Sequence, residues 1–413
     1  MFKYYLVVLV RRNIILIIIS SILASLSAAF FTWMLPIVLA ELGPVIYLGL
    51  AYTVAYAISA PLSLISGVLA DDYGRKLMVV VSTLFVVAAY GMIFLYPSII
   101  TLLVAIVIRE VSNILSMPAT NSLIAESVEG PLRGHAFTVM SFASSVSLAV
   151  GSLILGELAA MSLQVTALII LSLSTLSLLA RLLLRETLTT GHERSSGVGM
   201  ASRIGEFFKS FSNIGRLKSL GAPYIYLSVM AVLSVVASTL YSIYMSVYFN
   251  FELGLSKSDV GLIYTVSSLA SLTIVFMGLL VSALGALRSL QLALLLMALP
   301  TITLAFLPRG SLALVLALAS TSTLASTLSQ VSSNTFISDF TPQDIRSTVF
   351  GSLTSVSLLA SLAAPSLGAF IFSLSKRLVP LAIGALLALS LIFSEFLKRC
   401  LRLASSFSIS RSG

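Results

Sequence analysis

Two adjacent charged residues, Arg109 and Glu110, stand in the middle of a long apolar stretch of the sequence. If that stretch spans a membrane, each buried charge costs about 2.5–3.5 kcal/mol on insertion scales, so such residues usually mark a transport or proton pathway. Ser112, Asn113 and Ser116 follow at helical spacing and extend one polar face. We therefore predict that Arg109, Glu110 and Asn113 line a water-filled cavity that binds substrate or protons. Structural ion pairs with other helices are the alternative.

Polar groups also interrupt two later apolar stretches. Tyr241 offers an aromatic ring with a hydroxyl group, which suits sugars or amphipathic compounds. Gln330 and Asn334 belong to one helical face at intervals of 0, 3, 7, 10 and 14 residues with three hydroxyl residues, Ser320, Thr323 and Thr327. Small hydroxyl residues often only pack helices together. We therefore add Tyr241, Gln330 and Asn334 as substrate or proton site candidates.

Residues for metal or cofactor chemistry are scarce. The chain has one cysteine, Cys400, and two histidines, His135 and His192, with no metal-ligand spacing. It contains no glycine-rich phosphate loop ending in Lys-Ser or Lys-Thr. We predict no metal, no cofactor, no catalytic residue and no enzymatic activity.

The elements that must position these residues follow from composition. The 413 residues are 58% hydrophobic and 9% charged, against about 45–50% and about 25% in a soluble domain. Soluble enzymes, disordered proteins and secreted disulfide scaffolds are thereby excluded. A membrane helix needs about 20 apolar residues, so roughly 34 residues per helix and loop give about twelve spans. The predicted fold class is an all-α membrane protein with twelve transmembrane helices, from Asn13–Leu39 to Leu378–Leu397.

The basic residues predict an orientation. The chain has 24 Lys and Arg residues for a net charge of +9. Only Lys257, Arg309, Lys376 and Arg377 fall on the side opposite the termini, and Arg109 lies inside a span. The positive-inside rule therefore places both termini in the cytoplasm. The same asymmetry makes nucleic-acid binding an unnecessary explanation for the positive charge.

The longest polar segment divides the chain into three parts. We predict an N-terminal six-helix bundle over 1–184, a cytoplasmic linker over 185–222 and a C-terminal six-helix bundle over 223–413. Within the linker, apolar residues recur at helical spacing among basic ones: Ile204, Phe207, Phe208, Phe211, Ile214 and Leu217. This pattern suits an amphipathic helix lying in the membrane interface, and a solvated linker is the equal alternative.

The two halves resemble each other. One set of positions recurs at an offset of 211: Gly67, Leu69 and Gly74 at Gly278, Leu280 and Gly285. Another recurs at an offset of 213: Asn121, Ile124, Glu126, Arg133 and Phe137 at Asn334, Ile337, Asp339, Arg346 and Phe350. Parallel repeats of this kind are what alternating access needs, because the halves rock about a substrate site between them.

The end of the second predicted span carries a specific motif, Gly67-Val-Leu-Ala-Asp71-Asp72-Tyr-Gly74-Arg75-Lys76. It closely resembles the signature loop between helices two and three of the major facilitator superfamily. Arg109 in the fourth span, Pro118, and Arg133-Gly134 before the fifth span also match that family's pattern. The resemblance covers the whole chain in span count, repeat and loop positions.

Each residue of this loop has a physical reason. Gly67 lets a neighbouring helix approach closely, and Gly74 tolerates the positive φ of a tight turn. Asp71 lies where a carboxylate accepts hydrogen bonds from the N-terminus of another helix, and Arg75 and Lys76 anchor the turn at anionic headgroups. The resemblance implies that these five residues form a latch, which shuts the cytoplasmic side when the cavity faces outward.

Two segments depart from the family's patterns. In the second-half copy, Ser282, Ala286 and Leu287 replace the acidic and basic residues, which predicts a one-sided latch. The fifth span has Gly151-Ser152 where drug antiporters of the superfamily often carry Gly-Pro, which weakens the assignment to drug/proton antiport.

The resemblance implies a secondary active transporter of a small organic solute that works by alternating access. Because the cavity candidates are mostly hydroxyl, aromatic and apolar, we predict efflux of drug-like or amphipathic compounds by proton antiport, with Glu110 as the coupling acid. Sugar or other nutrient uptake is one alternative, and a non-transporting membrane sensor or assembly factor is another. The predicted partners are the solute, the lipid bilayer and protons, and the predicted state is a monomer in the cytoplasmic membrane.

Overall fold

A computed structural model describes residues 11–159, 162–187, 221–341 and 346–409. The amphipathic helix predicted between Ile204 and Leu217 lies outside the described residues. Within them the chain is helical almost throughout and contains no β-strand. This follows from the apolar runs, because a helix satisfies all its backbone hydrogen bonds within one segment where lipid offers none.

The first half folds into six helices. They are α1 (Arg12–Leu42, with a π-helical turn at Phe30–Met34), α2 (Ile46–Tyr73), α3 (Arg75–Leu95), α4 (Ile99–Glu126), α5 (Arg133–Leu158) and α6 (Leu163–Leu182). Side chains mark two of the starts. Ser98 forms a capping box with Thr101 before α4, and the Ser162 hydroxyl accepts the Val165 N–H before α6. Each cap satisfies a backbone donor that the first helical turn leaves free.

The second half contains six more helices. They are α7 (Gly221–Phe251), α8 (Lys257–Ala270, continued by Ile274–Leu284 after a 3-10 turn at Ser271–Thr273), α9 (Ala286–Leu304), α10 (Leu312–Phe340), α11 (Arg346–Leu374) and α12 (Leu378–Ile409). The turn between α8 and α9 is made at Gly285, with φ +84°. Gly74 makes the corresponding turn between α2 and α3, with φ +101°.

These helices are long and apolar enough to cross a membrane. Over the described ranges, eleven helices meet this criterion, and the count is twelve when the bent α8 is taken as one span. The all-α membrane fold is therefore confirmed, and the chain is a multi-pass membrane protein.

Two compact units divide the helices. The first unit holds α1 to α6 together with Leu255–Leu269, which includes the start of α8. The second unit holds α7, the rest of α8 and α9 to α12. In the first, α1 packs on α5 and α6, and α3 packs on α4 and α6; in the second, α7 packs on α11 and α12, and α9 packs on α10 and α12. The same packing pattern is thus built twice, as the sequence repeat predicts.

Candidate functional site

A polar cavity of about 70 Å³ lies inside the first unit, where α1, α3, α4 and α6 meet. Its lining combines two arginines with many hydroxyl groups: Arg109, Arg181, Ser27, Thr83, Tyr90, Ser112, Asn113, Ser116, Ser174 and Ser177 contribute, with Ala24 and Val86. No acidic residue lines it. The predicted site residues Arg109 and Asn113 are therefore brought to one cavity.

Arg109 projects from the middle of α4 and is half-buried. Its guanidinium carbon lies 5.8 Å from the centroid of the Phe31 ring, within the range of a cation–π contact. Phe31 belongs to the π-helical turn of α1, and such turns often occur at functional sites. Among the described residues Arg109 forms no salt bridge.

Arg181 reaches the same cavity from the last turn of α6. Its Nη1 donates to the Thr83 hydroxyl at 2.5 Å, while its Nε is buried without a hydrogen-bond partner. Sequence reasoning assigned Arg181 to the terminus-side charges and missed it as a site residue. The signal was present, because Arg181 falls inside the predicted sixth span, as Arg109 does in the fourth.

Glu110 does not line this cavity. Its carboxylate lies near the Asn113 side chain and interacts electrostatically with Arg109 and with Tyr56 of α2. Successive helical residues point about 100° apart, which explains why neighbours in sequence face different surroundings. The structure thus brings Glu110 close to the cavity but separates it from the lining.

Several hydroxyl groups that line this cavity donate hydrogen bonds to backbone carbonyl groups. Tyr90 donates to the backbone carbonyl of Ser27 at 2.7 Å, Ser112 to that of Ser82 at 2.7 Å, and Ser177 to that of Ser20 at 2.8 Å. These bonds connect neighbouring helices. They fix the cavity walls and leave the arginines as its main source of free donors.

A second cavity, of about 220 Å³, lies inside the second unit. Tyr241 lines it beside hydroxyl groups from α7, α9 and α10 and four apolar side chains: Ser238, Thr301, Ser322, Thr323, Ser326, Ala237, Met297, Ile383 and Leu387. Gln330 and Asn334 are exposed on α10 and do not line it. Of the three candidates in this half, the structure places only Tyr241 in the cavity.

The latch loop forms a small charged network at the α2–α3 turn. Arg75 Nη2 lies 3.2 Å from Asp71 Oδ1 and 2.9 Å from Glu126 Oε1 at the end of α4. Glu126 Oε2 also accepts a hydrogen bond from the Thr187 hydroxyl at 2.7 Å. The loop is therefore tied to the end of α4 and to the chain that follows α6.

The carboxylate at the start of α3 comes from Glu186. Its two oxygens accept the backbone N–H groups of Arg75 at 3.2 Å and of Lys76 at 3.0 Å, a favourable place for negative charge because of the helix dipole. The sequence assigned such a role to Asp71, toward another helix. In the structure, Asp71 instead pairs with Arg75 one turn away, and Glu186 and Glu126 are the partners that the sequence did not identify.

Gly67 departs from its predicted role. A Cβ added at this position would meet no atom of the described residues within 4 Å. The close helix approach predicted from the motif is therefore absent here, because the surroundings of Gly67 are open. Gly74 is tightly fitted, since a Cβ there would lie 2.6 Å from Glu186 Oε2.

At the opposite end of the first unit, the start of α8 packs on α5. A Cβ at Gly261 would lie 2.7 Å from the carbonyl oxygen of Ser152 and 2.9 Å from Gly156 Cα. Ser258 donates to Glu157 at 2.7 Å. An ion pair of 2.8 Å joins Lys257 to Glu41 at the end of α1. The backbones touch directly, and polar contacts surround the packed glycines.

Two compact units of membrane helices share one packing pattern, and each contains a cavity. This is the architecture of secondary transporters built from parallel repeats. The family model described as Major Facilitator Superfamily matches residues 17–226 and again 227–408. The chain therefore belongs to the Major Facilitator Superfamily, a family of transporters, and the predicted family is confirmed.

Solved structures show the same fold. The nucleoside transporter NupG aligns with a TM-score of 0.77 at 12% identity, covering 94% of this chain and 99% of that one. The human organic anion transporter MFSD10 (TETRAN) aligns with a TM-score of 0.62 at 18% identity, covering 93% and 99%. A POT family transporter in complex with 5-aminolevulinic acid aligns with a TM-score of 0.71 at 11% identity, covering 94% and 95%. No curated protein sequence matches the chain.

Proposed function

We propose that this protein is a secondary active transporter that moves a small organic solute across the cytoplasmic membrane by alternating access. The observation that carries the proposal is the polar cavity inside the first unit, with Arg109 and Arg181 in its lining. Charged side chains within membrane helices are costly and usually mark a substrate pathway. The solute, the bilayer and protons are its proposed partners, and a monomer is its proposed state.

The proposed orientation places both termini in the cytoplasm. The distribution of Lys and Arg supports it, since the basic residues concentrate in the loops on the terminus side. The Arg75 network at the α2–α3 turn lies among these loops. In this orientation the latch residues Gly67, Asp71, Gly74, Arg75 and Lys76 act at the cytoplasmic face.

The proposed direction is export by proton antiport, and uptake of a nutrient is the alternative. The structural relatives are named for nucleosides, organic anions and, in one case, a complex with 5-aminolevulinic acid. Because these solutes differ, the shared fold does not choose between them.

The test is transport by the purified protein in liposomes, measured with an inward and an outward pH gradient. Movement of the solute against its own gradient, driven by protons that move down theirs in the opposite direction, indicates antiport and never occurs in a non-transporting sensor.

Replacing Glu110 with glutamine is expected to abolish the response of transport to a pH gradient. Glu110 is the acid deepest within a membrane helix, and glutamine keeps its size but cannot exchange a proton. Solute exchange without a gradient should continue at about the wild-type rate. Glu129→Gln is the matched control, because Glu129 lies in an exposed loop, paired with Arg11. Gradient-driven transport that survives Glu110→Gln would show that another group couples the proton.

Replacing Asp71 with asparagine is expected to slow transport about tenfold while leaving the fold intact. The Asp71 side chain is 62% exposed, and an exposed ion pair contributes only about 0–1 kcal/mol to stability. The melting temperature should therefore stay within about 2 °C, by the usual scaling for a chain of this size. Initial transport rates check the effect, with the neighbouring Asp72→Asn as control. Equal rates for the two variants and the wild type would refute the latch role.

A further inference from the structure

We infer that the transported solute carries an anionic group, a carboxylate or a phosphate, and that Arg109 and Arg181 bind this group together inside the first unit. The inference rests on the proposed transport function and names its substrate class. It concerns the cavity of about 70 Å³ between α1, α3, α4 and α6.

The charge of the cavity is the first argument. Both guanidinium groups line it, and neither forms a salt bridge with a described residue. Glu110 contributes one negative charge near Arg109 but lies outside the lining. Two positive charges therefore face one negative charge in a poorly solvated place, where an uncompensated charge is costly. A bound anion supplies the missing compensation.

Unused hydrogen-bond donors are the second argument. A guanidinium carries five N–H donors and no acceptor. Arg181 directs Nη1 to Thr83 and to the carbonyl of Val79, and its buried Nε has no partner. Arg109 contacts the Phe31 ring but makes no hydrogen bond to a described residue. Charge-assisted bonds to a carboxylate or phosphate are short and strong, so an oxyanion satisfies both groups at once.

The rest of the wall disfavours other solutes at this place. The hydroxyl groups of Tyr90, Ser112 and Ser177 already donate to backbone carbonyls, so they offer a neutral solute few free donors. A cationic group would meet repulsion from both arginines. Among amphipathic compounds, the cavity thus selects anions over cations.

The size of the cavity fits a group rather than a whole solute. The cavity of about 70 Å³ has room for a carboxylate or phosphate, but it is far smaller than the roughly 300–1,000 Å³ of pockets that enclose drug-sized ligands. The remainder of the solute must therefore lie outside this cavity. Arg109 and Arg181 bind the anionic group of the solute, and they do not select the rest of the solute.

The binding experiment uses the purified full-length protein in detergent. Its melting temperature is measured against inorganic phosphate and against succinate at constant ionic strength, with glycerol and choline as neutral and cationic probes. Ligands that bind only the folded state raise the melting temperature. We expect phosphate, succinate or both to raise it, and glycerol and choline to leave it unchanged. A wild-type protein that responds to neither anion would overturn the inference.

Substitutions of the two arginines test whether the anion binds in this cavity. Arg109→Gln and Arg181→Gln should each weaken anion binding at least about tenfold, since a hydrogen bond to a charged group contributes about 1.5–3 kcal/mol. Arg109→Lys and Arg181→Lys keep the charge and should retain part of the affinity, which separates loss of binding from loss of folding. Arg288→Gln, on an exposed position of α9, removes the same charge elsewhere and should bind as the wild type does. Anion binding that is equal in all these variants would overturn the inference.

Transport in liposomes separates this inference from the proposed function. If a neutral or cationic solute is transported and neither glutamine variant changes its rate, the anion site is wrong and the transporter stands. If anions bind through both arginines but no solute of any charge moves, the site stands and the proposed function is wrong. Transport of anions that both glutamine variants slow supports both.

Discussion

Replacing Gly151 with alanine is expected to destabilise the first unit by about 1–3 kcal/mol, the usual cost of overpacking. Gly151 lies in α5, and a Cβ there would fall 2.5 Å from the carbonyl oxygen of Leu26 and 2.8 Å from its Cα. Because both are main-chain atoms of α1, no side-chain rotation relieves the overlap, and the two helices must separate. The apparent melting temperature in detergent should fall by roughly 2–10 °C.

Gly91 provides the control for this substitution. It lies within α3, and a Cβ there would meet no described atom within 4 Å. Alanine favours a helix by up to about 1 kcal/mol over glycine, so Gly91→Ala should leave the melting temperature unchanged or raise it. If Gly151→Ala melts like Gly91→Ala, the packing of α1 on α5 is not a determinant of stability.

Replacing Gly261 with valine is expected to slow transport at least about tenfold while the protein remains folded. Gly261 brings the start of α8 against α5, with a Cβ position 2.7 Å from Ser152 O and 2.9 Å from Gly156 Cα. Because the rest of α8 belongs to the second unit, we expect this contact to change when one repeat moves against the other. An overpacking cost of about 1–3 kcal/mol corresponds to about a 5- to 150-fold shift between the closed and open states. Turnover in liposomes measures the loss.

Gly278→Val is the matched control, since it lies in the later part of α8 and has no described neighbour within 4 Å of its Cβ position. Labelling by a thiol reagent gives a second readout. With Cys400→Ala as background, a cysteine at position 258 beside Glu157 should react faster when Gly261 is valine. Equal turnover and equal labelling in the two valine variants would show that the α5–α8 contact plays no part in the cycle.

Several features were predictable because they depend on short stretches of sequence. The motif from Gly67 to Lys76 gave the family, and the apolar run around Arg109 predicted an intramembrane charge. Gly74 shows why: a tight turn between two antiparallel helices needs positive φ, which glycine alone adopts freely. Local backbone requirements of this kind are visible in the residues themselves.

The residues that contact these positions in the structure could not be predicted from the sequence. Glu186, in the chain that follows α6, accepts backbone N–H groups at the start of α3, and Glu126 at the end of α4 pairs with Arg75. Neither is marked by a motif in the sequence. Arg181 also lies within a predicted span, but it stands near the end of that span, where a basic residue equally fits the membrane interface. Tyr241 lines a cavity, whereas Gln330 and Asn334 do not. A polar face on α10 is visible in the sequence, but the sequence does not show which helix packs against that face.

The sequence by itself determined the class of this protein: a multi-pass, all-helical membrane transporter of the Major Facilitator Superfamily. It could do so because lipid forces every span to be an apolar helix of defined length. Only the tertiary structure decided that Arg109 and Arg181 share one cavity while Glu110 lies beside it. Which side chains meet depends on the rotation and spacing of packed helices, and contacts such as Gly151 on Leu26 set that spacing.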